Sequence, residues 1–315
     1  MTRITLFVFF ISFSFAGYSQ CEENRFRNFV FPDVDLTSDI LYGGNFDFQG
    51  DFTDLYLDVY EPAGDTMSLR PLVIMIHGGS FVFGDKTGLD VVPLAMDLAK
   101  MGYVTASIQY RLGIPLVGSL EQSATQAVLR GIHDCRAAVR FMRKEVEENG
   151  NPHRIDPNKI YLAGVSAGGF VALHHAYLDM ETEIPAIVDQ SIDGLGGGLE
   201  GSSGNEGFSS EINGVVNIAG ALINVDLMAA GDEPVCSFHG TNDDTVPFGS
   251  ATLQLFGFDV TEVDGSEPIH QRADEVGLVN CFEIQEGQPH VPHTIDMLQY
   301  DTLRSITSNF LSHLI

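Results

Sequence analysis

The sequence predicts an α/β fold with a mainly parallel central sheet covered by helices on both faces. Three observations carry that expectation. Apolar strand-like runs alternate with helix-like segments along most of the chain. The runs Pro71 to Ile76 and Lys159 to Val165 are almost wholly apolar, as strands buried on both faces are. Gly-rich turns follow both runs, at the strand ends where sheets of this kind carry their reacting groups.

The first segment reads as an address. Thr2-Arg3, an apolar run from Ile4 to Phe15 and the small residues Gly17 and Ser19 make a secretory leader, with cleavage expected after Ser19. Gln20 argues against lipidation of Cys21. The remainder, residues 20–315, reads as one domain, exported to an extracellular or periplasmic space.

Along that domain, Leu55 to Tyr60 alternates like a half-exposed strand and stops at Pro62. Pro71 to Ile76 is the next strand, Leu89 to Lys100 a helix, and Tyr103 to Tyr110 a strand. Gln122 to Glu148 has apolar residues at helical spacing and ends at Asn149-Gly150-Asn151-Pro152. Lys159 to Val165 is a strand feeding a helix from Ala167 to about Leu178. Val215 to Ala219, Val235 to Phe238 and Cys281 to Ile284 supply further strands, and Thr294 to Leu314 a last helix. Gly194 to Ser210 is the one low-complexity stretch, either a substrate-contacting loop or a plain surface loop.

Composition narrows the function. The 315 residues include 16 Lys and Arg against 43 Asp and Glu, a formal charge of −27. Such a surface repels phosphate backbones and anionic membranes, so neither nucleic acid nor stable membrane association is expected. With 44% hydrophobic residues the chain is too apolar for disorder. Cys21, Cys135, Cys236 and Cys281 permit three complete pairings, and Cys135 and Cys236 read as buried free thiols. No spacing suggests a metal. Asp51, Asp54 and Asp58 read as a solvated strand face.

Three motifs at strand ends fit a single chemistry. Gly164-Val165-Ser166-Ala167-Gly168 lies between a strand and a helix, the setting of a nucleophile elbow that lifts Ser166 above the sheet. His77-Gly78-Gly79-Ser80-Phe81 follows a buried strand, and its glycines let backbone N–H groups approach a developing oxyanion together with the N–H of Ala167. Gly78, Gly79 and Ser80 are all candidate donors, and His77 is expected to order the loop. A serine also needs a base, and the base an acid. Asp243 or Asp244 follows the strand Val235 to Phe238, and His290 or His293 follows Cys281 to Ile284, in the order Ser, Asp, His. His174 and His175 read as packing or surface residues, and His133, His153, His270 and His313 have no motif around them.

These residues resemble the secreted α/β-hydrolase carboxylesterases of Bacteroidetes-like bacteria, feruloyl esterases among them, from about Cys21 to His293. Leu57-Asp58-Val59-Tyr60-Glu61-Pro62, Arg70-Pro71 to Gly79, Ser107 to Gly113 and Ser203-Gly204-Asn205-Glu206-Gly207-Phe208 are similar to further stretches of that family. The resemblance implies Asp243 as the acid and His290 as the base. Ser80 departs from it, standing where many relatives carry a third glycine. No lipase-like cap is visible, which argues against long-chain triglycerides. Feruloyl, acetyl-sugar and polyester substrates all occur among related folds.

The sequence therefore reads as a serine carboxylic-ester hydrolase that forms an acyl-enzyme on a small-molecule or polymeric ester. Ser166, Asp243 and His290 carry the reaction, and Gly79 and Ala167 hold the oxyanion. Phe81, Phe83 and the Gly194–Ser210 loop border the substrate. No cofactor is required. A serine peptidase or amidase uses the same residues, but the chain shows no charged anchor for a peptide end and lacks the length for an added propeller. A non-catalytic binding protein on this fold typically loses one of the three, and here all three positions are filled.

Overall fold

The computed structural model describes residues 24–115 and 118–315. The expected leader, Met1 to Ser19, and Cys21 lie outside the described residues. The chain runs β1 (Val34–Phe46), β2 (Phe52–Pro62), β3 (Arg70–Ile76), α1 (Val92–Met101), β4 (Val104–Ile108), α2 (Leu120–Glu147), β5 (Ile155–Val165) and α3 (Ala167–Tyr177). It continues with β6 (Val215–Ile218), β7 (Val235–Gly240), β8 (Ser250–Leu255), β9 (Phe258–Asp264), α4 (Ser266–Val276), β10 (Asn280–Gln285) and α5 (Met297–Leu314).

Eight strands make one sheet in the order β1-β2-β4-β3-β5-β6-β7-β10. From β4 to β10 every pairing is parallel, while β1 and β2 join antiparallel at one edge. The apolar runs explain the layering. In β3, Leu72, Ile74 and Ile76 point into a core shared with α2, α3 and α4, while Val73 and Met75 face a second core under α1 and α5. β5 divides in the same way, with Ile160 and Leu162 on the first face and Tyr161, Ala163 and Val165 on the second. A strand buried on both faces has no use for polar alternation.

Three elements were not anticipated. β1 carries Gly43-Gly44 and exposed polar residues, so its sequence signals a loop; it is held as an edge strand by its pairing with β2. The β8–β9 hairpin turns through Phe256 and Gly257, both at positive φ, and a Phe there hides the usual turn signature. α4 follows it directly. Two helices start later than expected, at Val92 and Met297, the latter after a 3₁₀ turn over Pro292–Thr294.

The cysteine reading needs one correction. Cys135 is a buried free thiol, but Cys236 is joined to Cys281. The two are register partners on the neighbouring parallel strands β7 and β10, a proximity that pairing alone creates. Asp58 is likewise not solvated: it is buried, 2.6 Å from the Lys86 ammonium.

The Gly194–Ser210 stretch is a pinned loop, and α2 pins it. Arg140 donates to the carbonyls of Glu200 at 2.9 Å and Gly204 at 3.0 Å, Arg143 to that of Ser209 at 2.7 Å, and His133 to that of Gly198 at 2.8 Å. Arg111 and Asp134 form a fully buried pair at 2.7 Å, and Arg111 also reaches the carbonyls of Phe46 and Gly194. A Cβ at Gly201 would lie 2.3 Å from the His133 ring, so glycine is required where the loop meets α2.

Burial pushes His133 and His174 down to about 4 and His175 to about 3. An unfolded histidine titrates near pH ~6.5, so these sites take up protons on unfolding. The stability they contribute is complete above pH ~6.5 and is lost as the pH falls toward ~4. Tm measured across that window is expected to fall steadily, and His175→Gln, with one titrating site fewer, to fall less steeply. Removing the disulfide opens a loop of 45 residues. Cys281→Ser is expected to lower the unfolding free energy in denaturant by about 3–4 kcal/mol, and dithiothreitol to do the same to the wild type.

Candidate active site

β5 ends at Val165 and α3 starts at Ala167, so a single residue makes the turn. That residue, Ser166, sits at φ 52° and ψ −115°, a conformation side chains rarely adopt. The turn closes only because its neighbours lack side chains. A Cβ at Gly164 would lie 2.0 Å from the Gly168 carbonyl oxygen, and one at Gly168 would lie 2.1 Å from that of Ile76. The first N–H groups of α3 have no partner within the helix, so the end beside Ser166 favours negative charge.

β6 separates β5 from β7, and β10 lies beyond β7, so three carboxyl ends open onto one rim. The loops after β7 and β10 are bonded together: Thr241 N–H donates to the Gln285 carbonyl and Asn242 N–H to that of Gln288, both at 3.0 Å. This brings Asp243 and His290 together. His290 Nδ1 lies 2.6 Å from Asp243 Oδ2, and its Nε2 lies 2.9 Å from Ser166 Oγ. An ionised carboxylate can only accept, so Nδ1 carries the proton and Nε2 is free to accept from the serine hydroxyl.

Asp243 is heavily solvated by protein. Its Oδ1 accepts the N–H groups of Thr245 and Val246 at 2.9 Å each, and its Oδ2 accepts from His290 and, at 3.1 Å, from His239. Burial alone would raise this carboxyl. The bonds from His239 and His290 and the Val246 N–H outweigh burial and hold it well below the usual carboxylate range. Asp244, one residue on, is exposed. His293 is buried edge-on to Phe238 and pushed down to about 4 by that burial, and it reaches neither Asp243 nor Ser166.

Two contributors had gone unnoticed in the sequence. His239 is wholly buried between the Ser266 hydroxyl at 2.8 Å and Asp243, extending the chain of bonds inward. Its position at the end of β7, four residues before Asp243, was the available signal. The other is Asp90, whose Oδ2 accepts the Gly78 N–H at 2.7 Å. That bond removes Gly78 from the candidate oxyanion donors. Gly79 turns the loop at φ 110°, its carbonyl taking the N–H groups of Val82 and Phe83. His77 is held beside it, stacked on Tyr110 at 4.4 Å between ring centroids.

Ser80 and Ala167 stand with Ser166 and Phe81 in the wall of one cavity. Phe83 does not: the tight Gly79-to-Phe83 turn aims it outward, and it is 64% exposed. The Gly194–Ser210 loop is also absent from that wall, because the α2 arginines hold it elsewhere.

The sheet order and the Ser–His–Asp chain of bonds define an α/β-hydrolase. Residues 57–230 match the family described as BD-FAE, and the chain belongs to that family. The matched span holds Ser166 and the His77–Phe81 loop, while Asp243 and His290 lie beyond it. Among curated proteins, Lipase 1 of Geotrichum candidum is 31% identical over 124 residues, covering 38% of this chain and 21% of its own. Carboxylesterase 3B of Mus musculus is 36% identical over 122 residues, 37% of this chain and 19% of its own. The isoprenylcysteine alpha-carbonyl methylesterase ICME of Arabidopsis thaliana is 27% identical over 224 residues, 61% of this chain and 46% of its own. The chain thus spans about a fifth of the length of the first curated relatives it matches. The same fold occurs in Thermogutta terrifontis esterase 2 phosphorylated by paraoxon, with TM-score 0.63, 22% identity, and coverage of 90% of this chain and 95% of that one.

Asp90→Ala frees the Gly78 N–H and removes the anchor of the loop beside Ser166. Steady-state kinetics with p-nitrophenyl acetate are expected to show kcat reduced by roughly 10- to 100-fold with KM little changed, the cost of one charge-assisted bond of about 1.5–3 kcal/mol.

Proposed function

We propose that this protein is a serine carboxylic-ester hydrolase working through an acyl-enzyme on Ser166. The observation that carries the reading is the position of His290, 2.9 Å from Ser166 Oγ on one side and 2.6 Å from Asp243 on the other. Ser166 Oγ attacks the acyl carbonyl as His290 Nε2 takes its proton. The oxyanion that forms is held by the Ala167 N–H and by the Gly79 turn, whose next N–H belongs to Ser80. Each well-placed donor contributes about 3–4 kcal/mol to the barrier reduction. His290 then gives its proton to the departing alcohol oxygen, and the C–O bond breaks. Water, deprotonated by the same nitrogen, attacks the acyl-enzyme and releases the acid. Asp243 remains ionised throughout, fixing the His290 tautomer and stabilising the imidazolium. Four hydrogen bonds to its two oxygens suit it to that task.

The substrate is a small-molecule or polymeric ester, and the enzyme works outside the cytoplasm. The leader-like Met1 to Ser19 and the Cys236–Cys281 disulfide favour export independently of each other.

Turnover of p-nitrophenyl acetate and butyrate tests the assignment. Ser166→Ala and His290→Ala are each expected to lose on the order of 10⁶ in kcat. Asp243→Asn, which changes the tautomer held at His290, is expected to lose on the order of 10⁴. A fluorophosphonate label landing on a serine other than Ser166 would refute the nucleophile.

A further inference from the structure

The space beside Ser166 does not end there. One chamber, a cavity of about 70 Å³, contains Ser166, Ala167, Ser80 and Phe81 in its wall. A second, of about 60 Å³, lies between α2, α3 and the β8–β9 hairpin, with Leu178, Pro185 and Val188 in its wall. The two share Ala124, Val128, Phe170, Leu253 and Val260, so they adjoin along a common wall. On α2 the lining residues run from Ala124 to Ile132, about 12 Å of helix rise.

The chemistry of that wall is selective. Among the described residues no Asp, Glu, Lys or Arg lines either chamber, in a chain with 43 acidic residues. Two of the few polar groups present, Thr125 and His174, are already committed. Thr125 Oγ1 donates to the Glu121 carbonyl at 2.8 Å. His174 Nδ1 donates to the Phe170 carbonyl at 2.8 Å, and its Nε2 accepts the Ile223 N–H at 3.1 Å. With both nitrogens bonded to backbone, this histidine offers the chamber only its ring. The remaining wall is mostly hydrocarbon, so phenolic or sugar hydroxyls entering here would give up water for few partners.

The side of the reaction also follows from the wall. The leaving alcohol must take its proton from His290, and His290 lines neither chamber. Ala167 and Ser80, on the oxyanion side, do line the first.

We infer that the two chambers are one acyl tunnel taking a medium-length aliphatic chain, with the β8–β9 hairpin as its roof. The inference rests on the ester-hydrolase reading and names its substrate class. The hairpin supplies Leu253, Gln254, Leu255 and Val260 to the first chamber and Leu253, Val260, Thr261 and Val263 to the second. It does the work of a cap with two strands. The expectation drawn from the missing lipase-like cap concerns long-chain triglycerides and is separate from this inference.

The test is an acyl-length series of p-nitrophenyl esters, from acetate through butyrate to octanoate, with wild type, Ser166→Ala, Thr261→Trp and Val188→Trp. In the wild type kcat/KM is expected to climb at least about thirtyfold from acetate to octanoate, within the limit of about fourfold per buried methylene. Either tryptophan, entering the distal chamber from a different element, is expected to cut the octanoate-to-acetate ratio about tenfold or more. Circular dichroism identifies a variant that fails to fold, and the other then decides. Methyl octanoate is expected to be hydrolysed faster than methyl ferulate in a pH-stat. A profile peaking at acetate or butyrate, with Ser166→Ala still inactive, overturns the tunnel and leaves the hydrolase reading standing. So does an unchanged ratio in a folded tryptophan variant, or faster hydrolysis of methyl ferulate. Absence of any Ser166-dependent turnover overturns both.

Discussion

The turn at Ser166 is the constraint on which the rest of the molecule depends. A parallel strand buried on both faces must leave the sheet, reverse and become a helix within one residue, and Ser166 takes up that reversal at φ 52°. Strain of this kind costs about 1–3 kcal/mol and persists only where the surroundings over-determine it. Here they do so from both sides. β5 is locked between β3 and β6, every residue of α3 is buried, and Gly164 and Gly168 let the backbone pass within contact of itself and of β3. The hydroxyl is consequently held where a flexible loop could not hold it, at the open end of the sheet.

Around that point the protein has built a buried polar relay. Asn217 bonds Ser266, Ser266 bonds His239, His239 bonds Asp243, and Asp243 bonds His290, which reaches Ser166. Each link satisfies the next, and no member is left to pay a desolvation penalty without a partner. The relay joins β6, β7, α4 and the loops after β7 and β10, so the Asp–His geometry is fixed by several elements at once. A comparable network stands behind α2, where Arg111, Arg136, Arg140 and Arg143 bind carbonyls and carboxylates of the Gly194–Ser210 loop and its neighbours. Several of the chain's few cations are therefore interior, which leaves the solvent-facing charge more acidic than the bare count suggests.

The inferred acyl tunnel and the relay meet at Ser166 from opposite sides. Ionic and hydrogen-bonding groups gather on the β7–β10 side, where the proposed reaction moves a proton. Apolar groups gather on the α2–α3 side, where the inferred acyl site lies. An ester has a reacting centre and a passive tail, and this division gives each a separate environment.

Local patterns determined a good deal. The buried strands β3 and β5 were legible because a strand covered on both faces must be apolar throughout, and α2 because its apolar residues recur at helical spacing. The Gly164–Gly168 motif was legible because only glycine fits a turn that tight. What depends on distant partners was not. Asp243 over Asp244 and His290 over His293 needed a family resemblance to suggest them and a sheet order to place them, since a shift of one residue in the first pair, or three in the second, decides which side chain faces the rim. The Cys236–Cys281 link follows from the register of β7 on β10, and spacing alone offered three pairings. β1 and the β8–β9 hairpin owe their strand character to pairing rather than propensity, and the hairpin's role as a roof appears only when it lies over α2 and α3. Sequence thus determined the chemistry available and the turns that present it. Tertiary structure decided which groups meet, because contacts between residues far apart along the chain are set by strand order and register, which no local pattern encodes.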